Sequence, residues 1–212
     1  MDQLFPAVLT FLCAYLLGSI PTAYLIGRLR GVDIFKIGSG NMGATNVIRA
    51  TGRVTWGGLV WFFDSAKSVV AVLIGLRLMP DALALATVIS SVAVMVGHNW
   101  SIFVAFITGK FRGGKGAAAA FGTLLVVAPF HVIAAMLLFF GVILATTRLV
   151  SLGVLAMFGL AVVWLGVLIA QQALPFDYIY YLLAISLLLL LKFRENIERL
   201  LAGTERRLGD HA

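Results

Sequence analysis

Apolar residues fall in long runs along this chain, separated by short polar stretches, and the runs mark out helices. Seven are expected to cross a hydrocarbon core of roughly 30 Å: Leu4–Ile26, Val54–Leu78, Ala82–Gly97, Ala117–Ala128, Val132–Thr147, Leu149–Ala170 and Tyr178–Leu191. Met79-Pro80-Asp81 and Leu174-Pro175-Phe176-Asp177 are turn signals between runs, and Pro129 closes the fourth. That fourth run is short for a crossing, so its helix is expected to begin near the glycines before it. The first run is too long for a signal peptide and lacks a basic leader, since Asp2 is the only charge before Arg28. It reads as a permanent span. There is no sign of the internal repeat that inverted-topology transporters carry.

Composition agrees with that pattern. The 212 residues are 61% hydrophobic and 12% charged, where a soluble domain carries about 25% charged residues. The fold class expected is therefore an all-α integral membrane protein, a seven-transmembrane-helix bundle. A membrane domain over 1–192 is followed by a basic amphipathic tail over 193–212. In the tail Phe193, Ile197, Leu200 and Leu201 share one face and arginines the other, as in a helix lying on a membrane surface. Asn196 and Glu205 fit that description least. Cys13 stands alone inside the first run, with no metal or disulfide pattern.

The net charge of +7 does not point to nucleic acid, because no dense or aromatic-interleaved basic stripe exists. The basic residues are divided among the connections instead. Arg28, Arg30, Lys36, Arg49 and Arg53 follow the first run; Lys110, Arg112 and Lys115 follow the third. Arg148 follows the fifth, and Lys192, Arg194, Arg199, Arg206 and Arg207 follow the seventh. With seven crossings, fourteen of the sixteen Lys and Arg residues lie on one side; Lys67 and Arg77 are the exceptions. The positive-inside rule then puts the N-terminus outside and the C-terminus in the cytoplasm.

Two polar segments on that side carry candidate chemistry. The first, GSGNMGATNVIRATGR from Gly38 to Arg53, has glycines at 38, 40 and 43 that let successive N–H groups converge on an anion. A helix is expected from about Asn41, capped by Ser39 or Asn41, and its N-terminus would suit a phosphate. Arg49 falls on the same helix face as Thr45. The second, GKFRGGKGAAAA from Gly109, follows the G-x-x-x-x-G-K phosphate-loop pattern through Lys115. It has Gly116 where a Mg²⁺-binding hydroxyl belongs. That keeps a phosphate cradle and excludes a nucleotide–metal site, so no ATPase, metal or cofactor is expected.

His98 closes the third run in GHNW. It suits a general base or a donor to a phosphate oxygen, and equally an interfacial histidine beside Trp100. The His-x-x-x-x-Asp pattern of many acyltransferases is absent, because Phe103 stands where the acid would, and His131 and His211 have no such partner either. Asp64 and Lys67, three apart within the second run, form an expected ion pair that either braces the bundle or reaches substrate. From the residues alone, a transporter for a small organophosphate is the competing class.

In order from about Gly18 to Glu205, GSGNMGATNVIRATG, DSAK, GH…FRGGKGAAAAFG, TRLVSLG and FRENIERLLAGTE resemble the bacterial acyl-phosphate:glycerol-3-phosphate acyltransferases, the PlsY family. The resemblance implies a multi-pass enzyme of the bacterial inner membrane with its active site toward the cytoplasm. Such an enzyme transfers a fatty acyl group from acyl-phosphate to the sn-1 hydroxyl of glycerol 3-phosphate. The products are lysophosphatidic acid and phosphate, in phospholipid synthesis. Its partners would be those two substrates, membrane lipids and the enzyme that makes the acyl-phosphate.

The substrate-binding residues implied are Gly38, Gly40, Thr45, Asn46, Arg49, Lys115, Ser151 and Asn196, with Ser39, Asn41 and His98 nearest the chemistry. Ser39 and Asn41 would steady an oxyanion. Either His98 or a substrate phosphate would take the proton. The chain departs from the family pattern at Ser101, where proline is usual, at Ala119, where threonine is common, and in a longer stretch between His98 and the second loop.

Overall fold

The structure is a computed structural model describing residues 3–209; the outer end of the expected tail, His211 included, lies outside the described residues, as does Asp2. Ten helices account for most of it. They are α1 (Leu4–Ser19), α2 (Thr22–Leu29), α3 (Ala44–Thr51), α4 (Val54–Leu78), α5 (Leu83–Asn99), α6 (Ile102–Thr108), α7 (Ala117–Val127), α8 (Phe130–Thr147), α9 (Val150–Ala170) and α10 (Tyr178–Leu201). No strand is present among the described residues. Leu4–Leu29, α4, α8 and α9 are each long and apolar enough to cross a membrane, while α5 and α7 are apolar but shorter. Large apolar side chains such as Phe5, Phe62, Phe130, Leu138 and Leu183 face outward, the surface a lipid solvent calls for.

The first run is broken where Pro21 cannot donate a backbone hydrogen bond. Neighbouring side chains satisfy the carbonyls this frees: Ser101 Oγ donates to Ser19 O at 2.5 Å and Lys67 Nζ to Ile20 O at 2.8 Å. Such outside partners are what allow a break at membrane depth. Beside it, α1 and α5 approach backbone to backbone. Gly18 lies on the Val94 carbonyl and Gly97 on the Tyr15 carbonyl, so a Cβ at either glycine would overlap main chain.

Two cores hold the site in place. The larger joins α5 with α7, α8, α9 and α10 through Met95, Phe121, Met136, Phe158, Leu165 and Tyr181. Across it, the buried hydroxyls of Thr123 and Tyr181 share a 2.8 Å hydrogen bond. The smaller core lies under the first glycine segment, where Ile34, Met42 and Val47 are packed against Val60 and Val104. A loop with its own apolar floor is fixed rather than free.

Besides the break at Pro21, three elements differ from the sequence expectation. Helix α3 begins at Ala44 behind Gly43, and neither Ser39 nor Asn41 caps it; Ser39 Oγ accepts from Asn41 N–H at 3.4 Å instead. Helix α6 was hidden in the apolar residues after Trp100, although Ser101 caps it, accepting from Val104 N–H at 3.2 Å, and Gly109 ends it in the left-handed region at φ 71°. The surface helix expected beyond residue 193 is the final part of α10, unbroken from Tyr178 to Leu201. Phe193 and Asn196 are buried there against protein, while Leu201 at the end of that face is exposed.

Candidate active site

Four connections meet at one cavity of about 570 Å³: the stretch from α2 to α3, the glycine loop before α7, the α8–α9 turn, and the end of α10 with the chain beyond it.

The first connection is shaped by Asn46, on the first turn of α3 and almost fully buried. Its Oδ1 accepts from Ser39 N–H at 3.0 Å and its Nδ2 donates to Ile34 O at 2.9 Å, so one side chain staples both arms of the loop. Gly38 and Gly40 have φ near +60°, where only glycine sits without strain. At Gly38 a Cβ would also meet Asn46 Oδ1 at 2.5 Å. This geometry presents Gly38, Ser39, Asn41, Gly43, Thr45 and Arg49 along the cavity wall, where α3 begins.

The second connection is laid across the first and across His98. Met42 N–H donates to Gly113 O at 3.3 Å, and Gly114 N–H donates to His98 O at 3.0 Å. The Arg112 guanidinium lies 4.7 Å over the Phe35 ring. Gly114 rests directly on the Nε2 edge of His98, leaving no room for a side chain. Lys115 then reaches into the cavity, donating to Asn196 Oδ1 with Nζ 5.4 Å from the Phe193 ring. Burial, with the Arg199 charge added, pushes its ammonium down to about 8.

Asn196 passes that contact on. Its Nδ2 donates to Glu205 Oε1 at 2.7 Å, and Arg199 Nε donates to Glu205 Oε2 at 2.8 Å. The C-terminal segment therefore folds back and brings Glu205, Arg206 and Leu208 to the cavity. Ser151, in the first turn of α9, also borders it; its buried Oγ has no hydrogen-bond partner, and such a group calls for a ligand or water.

Beneath the loops, Lys67 Nζ is 2.7 Å from Asp64 Oδ1, and His98 Nδ1 is 3.7 Å from the same oxygen. All three are buried. Asp64 and His98 line the cavity, and Lys67 turns away to the break in the first span. Toward the bundle the lining becomes apolar: Trp61 on α4, Leu137, Phe140 and Leu144 on α8, and Val150, Val154 and Met157 on α9. One end suits anions, the other a hydrocarbon chain.

Among the sequence candidates, Gly38, Ser39, Asn41, Thr45, Asn46, Arg49, His98, Lys115, Ser151 and Asn196 all border this cavity. Gly40 does not; it supports the loop beside the Phe35 carbonyl and Arg112. Asn46 borders it with both amide atoms already engaged. Sequence reasoning missed Trp61, Phe193, Arg199 and Arg206. Arg199 had a signal, its i, i+3 spacing from Asn196. Among the described residues no group of three or more His, Cys, Asp or Glu side chains could hold a metal ion.

Residues 8–203 match the family model described as glycerol-3-phosphate acyltransferase. Glycerol-3-phosphate acyltransferase 2 of Moorella thermoacetica is 39% identical over 206 residues, covering 97% of this chain and 99% of that one. A glycerol-3-phosphate acyltransferase of Thermus thermophilus is 43% identical over 211 residues, covering 97% of each. A crystal structure of PlsY (YgiH), described as an integral membrane glycerol 3-phosphate acyltransferase in its glycerol 3-phosphate form, superposes with a TM-score of 0.83. It shares 35% identity over 96% of each chain. The lysophosphatidic acid form of the same protein gives 0.81.

Proposed function

This chain belongs to the glycerol-3-phosphate acyltransferase family, and on that premise we propose that it moves a fatty acyl group from acyl-phosphate to the sn-1 hydroxyl of glycerol 3-phosphate. It is an acyltransferase of phospholipid synthesis and a multi-pass membrane protein. One observation carries the donor: the cavity that gathers Ser39, Arg49, Lys115 and Asn196 continues without a wall into the apolar slot between α4, α8 and α9. A substrate with a phosphate at one end and a hydrocarbon chain at the other fits that shape. The transporter alternative gives way to the family.

In this reading Arg49, Lys115 and the N–H groups at the start of α3 and in the glycine loops hold the two phosphates. The glycerol hydroxyl oxygen attacks the acyl carbonyl carbon. The bond from that carbon to the phosphate oxygen breaks, and the hydroxyl proton passes to the departing phosphate. Ser39 and Asn41 steady the oxyanion. Phosphate is a good leaving group, so no protein nucleophile is needed, and orientation supplies much of the rate. A substrate phosphate serves better than His98 as proton acceptor, because Nδ1 faces Asp64 and Nε2 is covered by Gly114. His98 then supports the second loop, and Ser151 and Asn196 complete the pocket. Seven crossings, an outside N-terminus, an active site facing the cytoplasm of a bacterium, and supply of acyl-phosphate by a partner enzyme belong to the same reading.

Purified protein given glycerol 3-phosphate is expected to form lysophosphatidic acid and phosphate with palmitoyl-phosphate and nothing with palmitoyl-CoA. Product from the CoA donor alone would overturn the donor assignment.

A further inference from the structure

The segment after α10 runs along the cavity and is clasped at the α8–α9 turn. From Ala202 the chain turns at Gly203, where φ is +69°. It buries Glu205 between Asn196 and Arg199 and then reaches the α8–α9 turn. There Arg148 grips a single residue from both sides. Leu208 N–H donates to Arg148 O at 2.7 Å, while Arg148 Nε and Nη2 donate to Leu208 O at 3.0 and 2.6 Å. Arg148 holds this pose with φ at +61°, a conformation unfavourable for a non-glycine residue and kept only where surrounding contacts outweigh it. Arg206 and Leu208, within the strap, line the same cavity as Ser39 and Lys115.

We infer that Arg148 is a positioning residue for the transfer, acting through this strap to decide which acceptor reaches the acyl carbonyl. The inference rests on the acyl-phosphate reading above. An activated acyl donor has two possible acceptors. With glycerol 3-phosphate, the hydroxyl oxygen bonds to the acyl carbon and phosphate leaves. With water, the water oxygen bonds to the same carbon, phosphate leaves carrying a proton, and a free fatty acid results. A closed strap lowers the water content around the carbonyl, the role of a lid in a site holding a reactive intermediate. Its inner anchor touches the groups that hold Lys115; its outer anchor includes the Arg148–Leu208 clasp. Arg148 does not line the cavity, so its loss leaves the phosphate cradle in place and loosens the strap.

The test uses the full-length protein in detergent with palmitoyl-phosphate and glycerol 3-phosphate, measuring phosphate and lysophosphatidic acid together. The unaltered chain is expected to release the two in nearly equal amounts. Arg148→Ala removes two charge-assisted hydrogen bonds, and a raised open fraction should increase the excess of phosphate over lysolipid about tenfold or more. Leu208→Pro removes the N–H that Arg148 O accepts and should shift the ratio the same way. The double variant should add little to either single, since both act on one clasp. Arg148→Lys, keeping one donor, should fall between. A ratio unchanged from the parent in both single variants would overturn this inference and leave the activity standing. An unaltered chain that made no lysolipid would overturn the activity and the inference together.

Discussion

If Lys115 holds a substrate phosphate as proposed, this one side chain sets the pH response of the site. Its ammonium is held at about 8 by burial and by the Arg199 charge, against 10.5 for an ordinary lysine. It attracts an anion only while protonated. The substrate phosphates are already dianions above pH 7, so they add no further change there. KM for glycerol 3-phosphate is therefore expected to be flat up to about pH 8 and to rise above it. Lys115→Arg, charged throughout, should remove that rising limb, as steady-state kinetics between pH 7 and 9.5 would show. The sign for stability is opposite to that of a paired lysine. The unfolded chain holds this proton more tightly than the folded one, so burying the charge costs stability below pH 8, and the cost fades as pH rises from there toward 10.5. At this scale much of the site was legible in the sequence. Ser39, Arg49 and Lys115 stood out because polar and glycine residues are conspicuous between apolar runs. Asn46 did not, because its task is to fasten Ser39 and Ile34, and no spacing rule announces a staple seven and twelve residues long.

Among the elements, α1 and α5 make the most demanding contact. Gly97 sits against the Tyr15 carbonyl, while Gly159 in α9 faces open space. Gly97→Ala is expected to cost about 1–3 kcal/mol of stability, as overpacking against rigid main chain does. Gly159→Ala should be neutral or slightly stabilising, since alanine is the better helix former. Thermal denaturation in detergent compares the two; equal melting temperatures would contradict the close packing. The edges of α4 could be read in advance because Arg53 and Pro80 bracket a long, mostly apolar run that only Asp64, Lys67 and Arg77 charge. The break at Pro21 was harder to see, since a proline inside apolar sequence can also be absorbed by a kink. What settled it was Ser101 and Lys67, residues eighty and forty-six positions away. Helix α6 and the length of α10 share that cause: an apolar stripe looks the same facing lipid or protein.

For the whole molecule, fourteen basic residues on one side argue for seven crossings with the N-terminus outside. With Cys13→Ala as background, a membrane-impermeant maleimide applied to intact cells should label Asp81→Cys and spare Lys110→Cys. Both side chains are exposed, so access to reagent reports sidedness. Labelling of both or neither would contradict the arrangement. The proposed sidedness rests on charge counting over the loops, which needs no knowledge of contacts. The convergence of four loops on one amphiphilic cavity could not be read that way, because it depends on which helices are neighbours.

The ion pair within α4 bears on how the chain enters the bilayer during synthesis. A lone Asp or Lys near the centre of a span weakens insertion by about 2.5–3.5 kcal/mol. Asp64 and Lys67 lie one turn apart on the same helix, 2.7 Å from each other, so they can travel in as a nearly neutral unit before α5 is made. The break at Ile20 has the reverse dependence: its carbonyl waits in lipid until Lys67 arrives from α4. The first hairpin is thus completed by its second helix, and removing Asp64 would burden the insertion step before it ever reached the chemistry.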